Sequence, residues 1–148
     1  MAQEGKVVRD VMTSNPRTVS DKDSVLNAAR IMRDEDTGVV PVVDGKKIIG
    51  LVTDRDIVVR GIADGKDMKS LKVNEVMTKQ VRTVNEDASV KEVLDVMSGA
   101  QIRRVPVVNR NNELVGIVSM KDVATETKHA DSKVGDTVEK ISRGPANN

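Results

Sequence analysis

The sequence predicts a mixed α/β fold (α+β) that is built from two copies of one small unit. The stretch VMTSNPRTV at 11–19 returns as VMTKQVRTV at 76–84. The stretch GLVTDRDI at 50–57 returns as GIVSMKDV at 116–123. The chain is therefore an internal duplication with units of roughly 60 residues. Two copies are too few for a solenoid, so we expect a closed pair with pseudo-twofold symmetry.

Each repeat begins as a strand followed by a helix. In the first repeat a short extended piece lies around Thr18-Val19, and Ser20 and Asp23 then predict the start of a helix. Apolar residues recur behind this start at helical spacing. In the two repeats they are Val25, Ala28, Ala29 and Met32, and Val90, Val93, Leu94 and Met97.

Two β-branched runs and a second helix complete each repeat. VVPVV and IIGLV are separated by the turn DGKK, and RVPVV and LVGIV by NRNNE, which is short enough for an antiparallel hairpin. The last helix is predicted from Asp54 to about Ala63, and from Met120 to about Lys128. Each repeat therefore has the order strand, helix, strand, strand, helix.

A proline lies inside the first β-branched run of each repeat, at Pro41 and Pro106. Proline cannot donate to a strand ladder, so it predicts a sheet edge or a strand start. Protection of the edge and contact with a ligand both fit this position.

The repeats predict domain boundaries at 8–63 and 73–128, with a polar linker at 64–72 between them. Periodicity is lost after about residue 130, and we expect residues 129–148 to form a partly disordered tail.

Composition argues against several function classes. The 24 Lys and Arg nearly balance the 23 Asp and Glu, so no overall basic field favours nucleic acid or an anionic membrane. Phe, Tyr and Trp are absent, which removes the aromatic platform on which RNA-binding and single-strand-binding proteins stack bases. Cysteine is absent and His129 is the single histidine, which argues against thiol or imidazole catalysis and against a metal site. We expect His129 to be a solvated surface residue.

Location and catalysis are also constrained by the sequence. The N-terminus lacks the apolar core of a signal peptide, and no apolar run approaches the roughly 20 residues of a membrane span. We therefore expect a soluble cytoplasmic protein. No nucleophile with an adjacent base and no G-x-x-x-x-G-K-[ST] loop is present, so we do not expect an enzyme.

The repeated turn from strand to helix pairs a hydroxyl residue with an acid three positions later. Thr53 and Asp56 form the pair in the first repeat, and Ser119 and Asp122 form it in the second. One interpretation is a capping box, which contributes about 1 kcal/mol and needs no ligand.

The other interpretation is a nucleotide site at the same turn. A helix N-terminus accepts phosphate, and an acid in its first turn can chelate the hydroxyls of a ribose. In this interpretation the strand residues Val40 and Pro41, or Val105 and Pro106, cover an adenine face. The threonines of the first extended piece, Thr18 and Thr83, then offer hydroxyl or backbone groups to the base edge.

The doubled pattern resembles the tandem cystathionine-β-synthase (CBS) domain pair, or Bateman module. The pattern consists of VMTxxxxTV, an amphipathic helix ending in Met, a VPVV strand and G-h-h-[TS]-x-x-D before a helix. The resemblance covers about residues 8–128. It implies a stand-alone pair of β-α-β-β-α units that pack by their sheets, bind adenosine-containing ligands in the clefts between them, need no cofactor and form homodimers.

The resemblance also implies roles for individual positions. The acid and hydroxyl of each last helix start hold ribose and phosphate, and the residue before each strand proline lines the base pocket. The second repeat adds Arg103 and Arg104, whose guanidinium groups either favour phosphate oxygens or form a solvated face. Arg55 and Lys121 either reach phosphates or point to solvent. The predicted nucleotide-binding residues are Thr18, Val40, Pro41, Thr53, Arg55, Asp56, Thr83, Arg103, Arg104, Val105, Pro106, Ser119, Lys121 and Asp122.

Two functional hypotheses follow. In the first, the protein is a non-catalytic sensor of AMP, ADP, ATP or S-adenosylmethionine, with at least one site that prefers a phosphorylated nucleotide. In the second, it is a constitutive structural dimer whose caps are only caps and which binds no nucleotide. The sequence does not identify a protein target.

Overall fold

The computed structural model describes residues 6–126, which divide into two compact units. The first unit holds residues 17–81, and the second unit combines residues 6–16 with residues 82–126. The predicted tail at 129–148, including His129, lies outside the described residues. In chain order the strands and helices are β1 (Thr13–Ser14), β2 (Val19–Ser20), α1 (Val25–Glu35), β3 (Val39–Asp44), β4 (Lys47–Thr53), α2 (Asp54–Asp56), β5 (Val84–Asn85), α3 (Val90–Ala100), β6 (Arg104–Val108), β7 (Leu114–Ser119) and α4 (Met120–Glu126).

The first unit contains a three-stranded sheet in the order β2-β3-β4. Strand β2 is parallel to β3, because α1 connects them, and β3 is antiparallel to β4 across a tight turn. Gly45 has a φ of 64° in this turn, a conformation that glycine adopts without steric cost. Helix α2 follows β4 directly and continues as a π-helix over Ile57–Ile62.

The second unit repeats this arrangement and adds one strand. Its sheet has the order β1-β7-β6-β5, with β5 parallel to β6 and the other pairs antiparallel. The predicted order of strand, helix, strand, strand, helix is confirmed in both repeats, and so is the α+β fold class. Strand β1 was not predicted.

Helix α1 begins about one turn later than Ser20 predicts and one residue later than Asp23 predicts. Its N-cap is Ser24, whose hydroxyl accepts the backbone N–H of Asn27 at 3.0 Å. The backbone N–H of Ser20 donates to the Asp23 carboxylate at 2.9 Å, in a turn before the helix. The prediction of the start was wrong because Ser and Asp at this spacing also stabilise an isolated turn.

Both strand prolines lie on inner strands, so the prediction of a sheet edge was wrong. Pro41 is on β3, opposite Leu51 of β4. Leu51 directs both its backbone N–H and its carbonyl to Thr78, at 2.9 and 2.8 Å, so the nitrogen of Pro41 faces away from β4. On that side the pairing with β2 begins only at Val42, so the proline removes no ladder hydrogen bond.

Each compact unit contains the VMT segment of the other sequence repeat. In the second unit, Val8 is fully buried and its N–H donates to the carbonyl of Ala88 at 2.8 Å. An ion pair between Arg9 and Asp87 also connects this segment to the rest of the unit. The neighbouring carboxylate raises the pKa of Arg9. In the first unit, the N–H of Val73 donates in the same way to the carbonyl of Asp23 at 2.8 Å. The compact units therefore differ from the contiguous segments 8–63 and 73–128, which stay predictions as domain boundaries.

The predicted linker at 64–72 also contributes to the first unit. Leu71 is 3% exposed and packs in its hydrophobic core, and its carbonyl accepts the N–H of Val25 at 2.9 Å. The end of the linker therefore covers the start of α1.

We predict that Gly50→Ala destabilises the protein by about 1–3 kcal/mol, the usual cost of overpacking. A methyl group at this position of β4 would lie 2.8 Å from the carbonyl oxygen of Thr78 and 3.3 Å from the sulfur of Met77. Urea unfolding of both proteins measures the difference. The matched control is Gly99→Ala on α3, where a methyl group meets no atom within 4 Å and helix propensity favours alanine. Equal stability changes in the two variants would contradict the close contact at Gly50.

Candidate functional site

The turn from β4 to α2 holds a reciprocal cap in the first unit. The backbone N–H of Asp56 donates to the hydroxyl oxygen of Thr53 at 3.0 Å, and the N–H of Thr53 donates to the Asp56 carboxylate at 3.0 Å. Thr53 is 9% exposed and Asp56 is 8% exposed. The capping box predicted from the sequence is therefore confirmed, and it holds a carboxylate that is nearly removed from solvent.

Two further side chains hold the same carboxylate. The hydroxyl of Thr78 lies 3.2 Å from Oδ1 and 3.3 Å from Oδ2 of Asp56. The guanidinium of Arg60, four residues along the helical segment, lies 3.5 Å from Oδ1. Because a buried carboxylate costs free energy unless it is paired and hydrogen-bonded, these contacts offset the cost of its burial.

Arg60 also connects the helical segment to the chain before Thr78. Its Nη1 donates to the carbonyl of Val76 at 2.8 Å and to that of Met77 at 3.1 Å. The π-helix shifts the side-chain positions relative to an α-helix, and such irregularities are frequent at functional sites.

The second unit has the same cap but a less crowded carboxylate. The N–H of Ser119 donates to Oδ2 of Asp122 at 3.0 Å, and the N–H of Asp122 donates to the Ser119 hydroxyl at 3.1 Å. Asp122 is half-buried, whereas Asp56 is buried. Within residues 6–126, its other oxygen, Oδ1, accepts no hydrogen bond.

The arginines of the second unit lie beside this cap. Arg104 on β6 is paired across the sheet with Ser119, and the carbonyl of Arg103 accepts the N–H of Met120 at 2.6 Å. In the first unit Gly38 and Val39 occupy the corresponding places.

Arg103 and Lys121 are exposed and Arg104 is half-buried, and none of them forms an ion pair with another residue in the part of the chain that the structure describes. The second unit therefore has two arginines beside its cap where the first unit has Gly38 and Val39, whereas Lys121 has a basic counterpart in Arg55.

The residues predicted to cover the adenine are buried. Val40 is 1% exposed and Val105 is fully buried, and each belongs to the core of its unit. Pro41 and Pro106 are buried as well. Sequence reasoning missed that these inner strands are covered on both faces, so a role in base contact requires movement of the side chains that cover them and stays a prediction.

Thr18 and Thr83 lie directly before β2 and β5, and both are half-buried. Arg55 is exposed at the start of α2, where its N–H donates to the carboxylate of Asp54 at 2.8 Å. The contact of these residues with a nucleotide stays a prediction.

Thr78 and Arg60 were missed by the sequence analysis. Arg60 follows Asp56 at the i, i+4 spacing of helical ion pairs, which was an available signal. Thr78 carried no such signal, because it belongs to the VMT motif of the second repeat and reaches Asp56 only through folding.

No helix among residues 6–126 is long and apolar enough to cross a membrane. In the same residues, no group of three or more His, Cys, Asp and Glu side chains is placed to hold a metal ion.

Comparison with known proteins agrees with the fold. A model of the CBS domain matches residues 8–61 and 73–128. The YlbB protein of Bacillus subtilis (strain 168) is 40% identical over 139 residues, which cover 93% of this chain and 92% of that protein.

Two solved structures extend the comparison. The structure of Hypoxic Response Protein I with two coordinated zinc ions has a TM-score of 0.75 and 35% identity, and covers 85% of this chain and 100% of that chain. The CBS domain pair of protein MJ0100, in complex with 5′-methylthioadenosine and S-adenosyl-L-methionine, has a TM-score of 0.72 and 30% identity. That comparison covers 84% of this chain and 97% of that chain. The resemblance seen in the sequence is thereby confirmed, and the chain belongs to the CBS domain family, with two CBS domains in tandem.

Proposed function

We propose that this protein is a non-catalytic regulatory module that binds adenosine-containing ligands, namely AMP, ADP, ATP or S-adenosylmethionine. The observation that carries the proposal is the repeated turn in which a cap fixes a carboxylate beside an inner strand, at Asp56 and again at Asp122. Adenine nucleotide is a ligand here, and no cofactor is required.

The geometry of the caps suits a sugar. In each cap one carboxylate oxygen accepts a backbone N–H, which fixes the plane of the carboxylate without a bound ligand. A fixed carboxylate can accept hydrogen bonds from two vicinal hydroxyls, as acidic residues do for ribose in dinucleotide sites. Pre-organisation of this kind raises affinity, because less conformational freedom is lost on binding.

A related structure supports the ligand class. The CBS domain pair of protein MJ0100 was solved with two adenosine derivatives, 5′-methylthioadenosine and S-adenosyl-L-methionine. Its 30% identity to this chain makes the same class of ligand a reasonable proposal here.

Charge then favours a phosphorylated nucleotide in the second unit. Arg104 lies across the sheet from Ser119, and Arg103 and Lys121 are exposed next to the same turn. Guanidinium groups favour phosphate oxygens through paired N–H donors. AMP, ADP and ATP offer such oxygens, whereas 5′-methylthioadenosine does not.

We also propose that the protein forms a homodimer, as the resemblance implies. Three large apolar side chains are exposed on the π-helix: Val58 by 52%, Val59 by 44% and Ile62 by 58%. A cluster of exposed apolar side chains is typical of an interaction surface.

The cytoplasmic location stays a prediction from the sequence, and so does the expectation that the protein does not bind nucleic acid.

Titration of nucleotide-free protein tests the ligand class. We expect binding of at least one of AMP, ADP, ATP and S-adenosylmethionine by isothermal titration calorimetry, with AMP tighter than 5′-methylthioadenosine. In Arg104→Ala the preference for AMP should fall by about tenfold, because a charge-assisted hydrogen bond to phosphate is lost. The control is Arg110→Ala in the turn after β6, which should bind as wild type. Absence of binding by all of these ligands would contradict the proposal.

Substitution of Asp122 separates a ligand site from a simple cap. Asp122→Ala should lower the free energy of unfolding by about 1 kcal/mol, because it removes the cap. It should also weaken nucleotide binding by about tenfold or more, because charged hydrogen bonds to ribose are lost. Urea unfolding and calorimetry measure the two effects. Asp54→Ala removes an exposed carboxylate outside the caps and serves as the control for net charge. Lost stability with unchanged binding would contradict the role of Asp122 in the ligand site. Lost stability in a protein whose wild type binds none of these ligands would support the alternative, a structural dimer without nucleotide.

The apolar cluster gives a test of the homodimer. Ile62→Asp should shift the protein towards monomer in analytical ultracentrifugation, because a charge would be buried in the interface. The control is Leu26→Asp, an apolar residue on α1 that is 38% exposed. Equal dimer dissociation in the two variants, or a monomeric wild type, would contradict this surface.

A further inference from the structure

The carboxylates of the two caps are not equivalent. Both oxygens of Asp56 are close to the hydroxyl of Thr78, at 3.2 and 3.3 Å, and Arg60 lies 3.5 Å from one of them. Asp122 has only the contacts of its cap within residues 6–126. The difference lies in the side chains around the carboxylates, because the caps themselves agree to about 0.1 Å.

The sequence explains why the second unit lacks these contacts. The counterpart of Thr78 in the other VMT segment is Thr13, which is exposed and forms no hydrogen bond with Asp122. When the repeats are aligned on GLVTDRDI and GIVSMKDV, the counterpart of Arg60 is Glu126, which carries the opposite charge. The sequence of the second repeat therefore supplies no basic residue at the position of Arg60.

The position of the Thr78 hydroxyl is the important feature. It lies between the two oxygens of Asp56, which is the edge that a ribose needs if both of its hydroxyls are to bind one carboxylate. A threonine hydroxyl and a sugar hydroxyl have the same donor chemistry. A ribose hydroxyl that bound both oxygens of Asp56 would therefore compete with the Thr78 hydroxyl.

We propose that Thr78 is a specificity-determining residue that closes the first unit to ligand, so that an adenosine-containing ligand binds at Asp122 first and at Asp56 more weakly. This inference rests on the proposed function. Binding at Asp56 requires the Thr78 hydroxyl to leave the carboxylate, whereas binding at Asp122 displaces no protein group among the described residues.

The backbone around Thr78 makes this closure stable. Thr78 exchanges two backbone hydrogen bonds with Leu51, at 2.9 and 2.8 Å, and Arg60 holds the carbonyls of Val76 and Met77. Rotation about the Cα–Cβ bond of Thr78 can therefore move the hydroxyl away from Asp56 while the backbone of residues 76–78 stays in place. The closure lowers affinity at Asp56 by about three- to tenfold, the usual worth of one hydrogen bond, and does not abolish binding.

Variants that keep only one of the two carboxylates test whether the two units bind AMP with different affinity. Asp122→Asn leaves the first unit as the binding site, and Asp56→Asn leaves the second. We expect calorimetric titration of nucleotide-free protein with AMP to give tight binding in Asp56→Asn and weaker binding in Asp122→Asn.

A second substitution tests the role of the hydroxyl. Thr78→Val in the Asp122→Asn background should tighten AMP binding by about three- to tenfold, because the competing donor is removed. Thr78→Ser in the same background keeps a hydroxyl and should restore the weak binding. The matched control is Thr13→Val in the Asp56→Asn background, which should leave the tight binding unchanged.

The outcomes separate this inference from the proposed function. Equal affinity in Asp56→Asn and Asp122→Asn, or no tightening in folded Thr78→Val, overturns the closure while the ligand class stands. If Thr78→Val is unfolded by circular dichroism, Thr78→Ala in the same background decides, because it also removes the hydroxyl and leaves the arginines of the second unit unchanged. Absence of AMP binding to wild type, where S-adenosylmethionine also does not bind, overturns the proposed function and this inference together.

Discussion

The buried carboxylate of Asp56 joins three separate stretches of the first unit. It accepts a backbone hydrogen bond from the end of β4, a hydroxyl from Thr78 and a contact from Arg60. A charged group that is 8% exposed is tolerated only where such partners replace water. The strand end, the π-helix and the segment at 73–78 are therefore held in one arrangement by a single group.

The second unit shows how a duplicated turn can diverge without changing its backbone. The cap is kept, but a basic residue beside it differs: Arg60 of the helical segment contacts Asp56, whereas Arg104 on β6 is paired with Ser119 of the neighbouring strand. A cation that is already paired with protein groups attracts a ligand anion less than a cation that is not. Two units with one fold can therefore offer different chemistry, which suits a module that responds to a phosphorylated ligand.

The candidate site was only partly predictable. The capping boxes depend on residues three positions apart, so the sequence was sufficient to predict them. Val40 and Val105 were predicted to line a pocket, and their burial depends on strands and helices far along the chain. Thr78 was missed for the same reason, because it lies 22 positions from Asp56.

The sequence by itself determined the duplication, the order of elements in each repeat, the caps and the membership of the CBS domain family. These features depend on local patterns, in which propensity, spacing and hydrogen-bonding side chains act within a few residues. Only the tertiary structure decided that β3 and β6 are inner strands and that each unit contains the VMT segment of the other repeat. Both copies of that segment begin with the same three residues, so local preference is equal for either partner, and only long-range packing and backbone pairing distinguish them.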